Sequence, residues 1–195
     1  DGLLGAQTLG LSEAEFAALY AHLVREKLRI TKPGRLTAVH CSDLPRTKGK
    51  HGSVGLYDFP SDIRAVHEEA GWTYHSRITV WKDPVVEMQR TKALGLLYKQ
   101  IQTDSTRNRQ GMPDYVLVFR KTPDDESQAN KVGQDRELFP VSMWQQWASP
   151  VWMDIDQTNV LNVKVAREDK DERHLCPLQL DLIERCIRLW TNPGD

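Results

Sequence analysis

Cysteine is scarce in this 195-residue chain: only Cys41, Cys176 and Cys186 occur, with no CxxC pair. The odd count and wide spacing exclude a disulfide framework and a zinc knuckle, leaving reduced, partly buried thiols as the simplest expectation. No apolar run approaches the roughly 20 residues of a membrane span, and the N-terminus lacks the basic and apolar regions of a signal peptide. The expectation is a soluble, cytoplasmic protein with no membrane partner and no metal. Net charge is only −1, so the total does not announce a nucleic-acid binder. With 39% hydrophobic and 27% charged residues, the composition also excludes collagen-like and low-complexity classes. A chain of this length buries about 70% of its unfolded surface, enough for a core without staples.

Charge is unevenly placed. Between Arg77 and Lys121 nine basic residues stand against four acids, and between Thr122 and Phe139 two bases stand against five acids. A basic segment beside an acidic loop says more about partners than the total does.

Ser12 and Glu15 form a capping-box pattern, and Phe16, Leu19, Tyr20, Leu23 and Val24 recur at helical spacing until Lys32-Pro33-Gly34. Residues 35–40 (RLTAVH) predict a short buried strand. Residues 45–57 predict a Gly-spaced basic loop, and residues 61–70 an amphipathic helix ended by Gly71. Residues 72–81 and 114–121 are aromatic and β-branched, predicting two strands. The intervening stretch of about 30 residues is too long for a hairpin turn, so it is functional or helical in its own right. The last helix places Leu180, Leu182, Ile183, Cys186, Ile187 and Trp190 on one face before Asn192-Pro193-Gly194. The order predicts an α/β sheet with an antiparallel strand pair at one edge.

Several residue groups invite a chemical reading. His40, Cys41, Ser42 and Asp43 sit where open α/β sheets bind ligands, at the carboxyl end of a strand. They are either plain strand-end and turn residues or the lining of a ligand pocket. A Cys–His nucleophile is disfavoured because neighbours on a strand point to opposite faces. The loop carrying Lys48 and Lys50 matches neither GxxxxGK[ST] nor GxGxxG, so it is a solvated loop or a contact for phosphate oxygens. Residues 82–110 interleave Arg90, Lys92, Arg107 and Arg109 with Gln89 and other amides, a mixture suited to phosphates and base edges, or else a charged helix face. Trp144 and Trp147 share a helical face, a spacing more typical of core than of base stacking.

Taken together, HCSDLPRTKG, the stretch from YHSRITVWKDP to DYVLVFRK, SPVWMDI and DERHLCPLQLDLIERCIRLWTNPGD resemble DNA methylases of phage and prophage type. These belong to the permuted (beta-type) S-adenosylmethionine-dependent enzymes that modify adenine N6 or cytosine N4. The family segment H-P-T-Q-K-P-L-E-L-I-E-R aligns ungapped with His174–Arg185, and Asn192–Asp195 supplies the N-P-G-D that follows. The resemblance implies a Rossmann-like methyltransferase sheet, S-adenosylmethionine as cofactor and DNA as partner. It places His174, Cys176 and Leu178 on the cofactor side, with Cys176, Leu178 and Gln179 departing from the family's Thr, Lys and Pro. Lys48, Lys50, Gln89, Arg90, Lys92, Arg107 and Arg109 are assigned to DNA contact. The implied division is a central sheet with a basic insertion (1–121), a target-recognition-like region (122–170) and a helix leading to the cofactor strand (171–195).

The family's [DSN]-P-P-[YFW] tetrapeptide and its F-x-G-x-G turn are missing: the sequence holds no Pro-Pro pair and no GxG. The expectation is therefore a sheet incomplete at both ends, no catalytic residue within these 195 positions, and an inactive chain when alone. It also implies a homodimer or flanking segments covering the exposed sheet edge, with a non-catalytic DNA-binding or assembly module as the alternative.

Overall fold

The computed structural model describes residues 13–91, 95–161 and 178–195. Helix α1 (Glu13–Ile30) ends where Lys121 Nζ donates to the carbonyls of Leu28 and Thr31 at 2.7 Å each. This places a cation on the negative end of the helix. Pro33-Gly34 then turns the chain, with Gly34 at φ +86 and so tightly packed that a Cβ would lie 2.8 Å from that of Ala129. Strand β1 (Leu36–Cys41) follows.

Within the stretch expected to be a loop, β2 (Leu44–Arg46) pairs antiparallel with β3 (Gly55–Tyr57), and a one-turn helix α2 (Lys48–His51) lies between them. Three-residue strands leave no periodicity in a sequence. Helix α3 (Phe59–Glu69) is capped by the Asp58 carboxylate, which accepts from the Ser61 amide at 3.1 Å. It ends at Gly71, φ +103, as the sequence implies. Strand β4 (Thr73–Val80) leads into the excursion, which contains α4 (Pro84–Thr91) and α5 (Tyr98–Thr103) before β5 (Asp114–Arg120). A polar stretch then leads to α6 (Val141–Trp147), β6 (Val151–Trp152) and α7 (Leu180–Trp190).

The main sheet runs β1-β5-β4-β6. Strand β5 is antiparallel to both neighbours, and β6 is parallel to β4. The chain is thus mixed α/β as expected, with its antiparallel strand flanked on both sides. Period-two alternation along β5 divides the core in two. Val116 and Val118 join Ile78, Val80, Trp152 and Leu182 on the α7 face, whereas Leu117 and Phe119 join Val24, Ile63 and Trp72 under α1 and α3. All four β5 residues are at most 1% exposed, a burial that stabilises by about 1.5–3 kcal/mol for each such side chain. On the α7 face the Arg185 guanidinium sits 5.3 Å from the Trp147 and Trp152 rings and 2.5 Å from Asp154.

No helix among the described residues is long and apolar enough to cross a membrane.

Candidate functional site

Because β5 runs against β1 and β4, its first residue lies at the rim where those two strands end. The register sets Val80 opposite Asp114, Cys41 opposite Tyr115 and His40 opposite Val116. Three residues far apart in sequence therefore meet. His40 Nε2 lies 2.9 Å and Lys82 Nζ 2.5 Å from Asp114 Oδ2. The Asp114 side chain is 4% exposed, and those of His40 and Lys82 are 29% and 19% exposed. Burial pushes the Asp114 carboxyl upward, but the His40 hydrogen bond and the Lys82 charge outweigh it, leaving the group below the usual range and ionised. A carboxylate on Nε2 fixes the ring so that Nε2–H donates and Nδ1 is left as an acceptor. The arrangement can thus present a positioned acceptor and an ammonium group at the carboxyl rim of the sheet.

The strand-end group splits as alternation requires. His40 reaches Asp114 on the α7 side, whereas Cys41 turns to the opposite side and is 7% exposed. Burial, followed by the charge of Asp114, pushes the Cys41 thiol up to about 12, so it stays protonated and unreactive. On the Cys41 side the Tyr115 hydroxyl points at Asp43 from 3.5 Å, and the Arg77 guanidinium lies 5.1 Å over the Tyr115 ring.

The basic excursion folds onto itself beside this rim. Glu87, 3% exposed, accepts from Arg109 Nη2 and from the Met112 amide, each at 3.3 Å. Arg109 Nη1 donates to the Gln110 carbonyl at 2.7 Å. Its guanidinium is thus turned inward, while Gln89 and Arg107 are exposed. Lys92 lies outside the described residues, as does the side chain of Arg90. Lys48 and Lys50 are exposed on α2, within the β2–β3 hairpin. Of the residues assigned to the cofactor side, His174 and Cys176 lie outside the described residues, and Leu178 packs against the apolar cluster under α7. Trp147 is half-buried against Arg185 and Arg188, and Trp144 is 56% exposed.

Sequence reasoning missed Asp114 and read Lys82 only as one of the cations of the basic excursion, whereas the structure pairs it with that carboxylate. An acid at the start of an apolar strand looks like a boundary residue, and its partners lie 74 and 32 positions away. The one available signal was that each of the three borders a predicted strand at the same rim.

A family described as DNA methylase matches residues 7–195. The chain belongs to the DNA methylase family. Among solved structures it resembles a protein of Thermus thermophilus, assigned as a DNA modification methylase and complexed with S-adenosyl-L-methionine. That match has TM-score 0.61 and 19% identity, covering 92% of this chain and 60% of the other. A second structure of the same protein matches with TM-score 0.60 and 18% identity, over 92% and 58% of the two chains. This DNA methylase chain therefore spans about three fifths of the length of those structures, and at such identity they establish the shared fold. No curated protein matches the sequence.

Proposed function

We propose that this chain is the DNA-facing part of a methyltransferase that transfers a methyl group from S-adenosylmethionine to an exocyclic amine in DNA, adenine N6 or cytosine N4. The family match over residues 7–195 carries the reading. The similarity to a structure complexed with S-adenosyl-L-methionine supports the choice of donor. When bound, the donor supplies a sulfonium-activated methyl group. Of His174, Cys176 and Leu178, only Leu178 is described, and its apolar side chain is spent on the core. Leu178 therefore offers the donor no side-chain hydrogen bond.

An amine within a duplex must leave the stack to react, at a cost of a few kcal/mol that backbone contacts offset. Lys48, Lys50, Gln89, Arg90, Lys92 and Arg107 are proposed to make those contacts. Arg109 is proposed to act indirectly, by holding the excursion through Glu87. The outer side of β1 meets no strand among the described residues, which supports a homodimer or a flanking segment there. We place the protein in the cytoplasm with its substrate. Nucleosides from DNA of cells expressing the full reading frame should contain N6-methyladenine or N4-methylcytosine above an empty-vector control when read by mass spectrometry. Absence of both bases would overturn the reading in favour of a non-catalytic binding module.

A further inference from the structure

At the end of the sheet away from Asp114, β1 and β4 begin and β5 finishes, so Leu36 and Thr73 both stand opposite Arg120. The length of β5 sets this end about 20 Å from the rim where His40, Asp114 and Lys82 meet. The chain leaves a groove of about 430 Å³ there, within the size range of ligand pockets. One wall is the stretch 129–132, which is pinned from two sides. The Asn130 amide and side chain both donate to the Pro33 carbonyl at 2.9 Å, and Asn192 Nδ2 donates to the Lys131 carbonyl at 3.2 Å. The floor is apolar: Leu36 and Trp190 lie partly buried against the cluster under α7.

Arg35, His75, Arg120 and Lys131 line this groove, and among the described residues no carboxylate does. Asp195 and Glu126 hold the two arginines from outside the lining, taking one terminal nitrogen of Arg35 and both of Arg120. The remaining guanidinium N–H groups make no hydrogen bond among the described residues. Lys131 likewise forms no ion pair there, although its charge reaches Glu126 through space. The His75 Nδ1 lies 3.1 Å from Ser76 Oγ, which leaves Nε2 to face a ligand.

We propose that this groove binds a phosphate monoester carrying a flat ring, the chemistry of a nucleotide or of the phosphorylated end of a nucleic-acid strand. Such a group brings a charge of about −1.5 to −2 at neutral pH and three acceptor oxygens. Those oxygens match the surplus cations and their unspent N–H groups, and guanidinium suits them better than a point charge does. The ring covers Trp190 and Leu36, which a bare oxyanion would leave wet. A purely apolar ligand would leave four basic side chains unmatched. Because the groove lies at the far end of the sheet, it is separate from the proposed methyl transfer and stands or falls independently of it.

The test titrates the full-length protein with phenyl phosphate, inorganic phosphate and phenol in a calorimeter. Phenyl phosphate should bind at least tenfold more tightly than either part alone. Lys131→Glu should weaken it at least tenfold, and Trp190→Leu should remove its advantage over inorganic phosphate. Circular dichroism confirms that the variants are folded, and His75→Ala, at an exposed position, gives a second probe that leaves the floor intact and should weaken binding at least threefold. Saturating S-adenosylhomocysteine should leave the titration unchanged. Phenyl phosphate binding no tighter than inorganic phosphate, insensitivity to both Lys131→Glu and His75→Ala, or displacement by S-adenosylhomocysteine each overturns the assignment. Competition then separates the two sources: deoxycytidine monophosphate displacing phenyl phosphate at the lower concentration identifies a free nucleotide, and a 5′-phosphorylated oligonucleotide doing so identifies a strand end. Displacement by neither, or equally by the unphosphorylated oligonucleotide, overturns the proposal.

Discussion

His67 lies face to face on Phe119, with ring centroids 4.0 Å apart and planes 8° from parallel. The imidazole is fully buried, and its Nδ1–H donates to the Ile63 carbonyl at 2.8 Å. Nε2 is buried without a partner, so a proton added there would sit in the apolar layer between α3 and the sheet.

That relationship sets a pH dependence. Burial pushes the His67 pKa down from 6.5 to about 4, and the nearby Lys27 charge acts in the same direction. The unfolded chain therefore binds the proton more readily than the folded one, so this contribution is complete above about pH 6.5 and is lost as the pH falls toward 4. The full difference is roughly 3 kcal/mol, of which about 2 kcal/mol is gone by pH 5. Thermal melts should fall by about 4–8 °C between pH 7 and pH 5. A His67→Gln variant should show a lower melting temperature at pH 7 and a flatter profile across the same interval.

Asp114 should dominate its network. Asp114→Asn leaves the Lys82 and His40 nitrogens facing a neutral amide at a buried position, and should cost about 1–3 kcal/mol in urea unfolding. Lys82→Met and His40→Gln should each cost less than Asp114→Asn.

Gly34 should not tolerate a side chain. Its φ of +86 disfavours an L residue, and the added carbon would press on Ala129 Cβ at 2.8 Å and the Asn130 amide at 3.0 Å. Gly34→Ala should lower stability by about 2 kcal/mol or more, measured by chemical denaturation.

DNA affinity should separate the exposed lysines from Arg109. Each phosphate contact contributes about 0.9 to the slope of log affinity against log salt. Lys48→Gln with Lys50→Gln should reduce that slope by up to about 1.8. Arg109→Ala should leave the slope nearly unchanged while lowering the melting temperature, because the ion pair it loses joins α4 to the chain leading into β5.

Local signals in the sequence located much of the framework. Pro33-Gly34 and Gly71 end their helices where the pattern predicts, and β1, β4 and β5 lie within two residues of their predicted bounds. The β2–β3 hairpin was not legible, since three-residue strands have no measurable alternation. The flanking of β5 by β1 and β4 was also hidden, because strand order depends on long-range pairing. At the site, the opposite orientations of His40 and Cys41 follow directly from alternation. The inward turn of Arg109 does not: its charge looks the same in a sequence whether it faces phosphate or Glu87. The meeting of His40, Lys82 and Asp114 required the register of three strands to be known.

Lys82 stands two residues beyond the end of β4, and Asp114 opens β5, so their ion pair joins both roots of the basic excursion. A segment tied off in this way is a cassette. Its length and composition can change while the sheet beneath keeps its register, because the two strands that flank it are held together at its base.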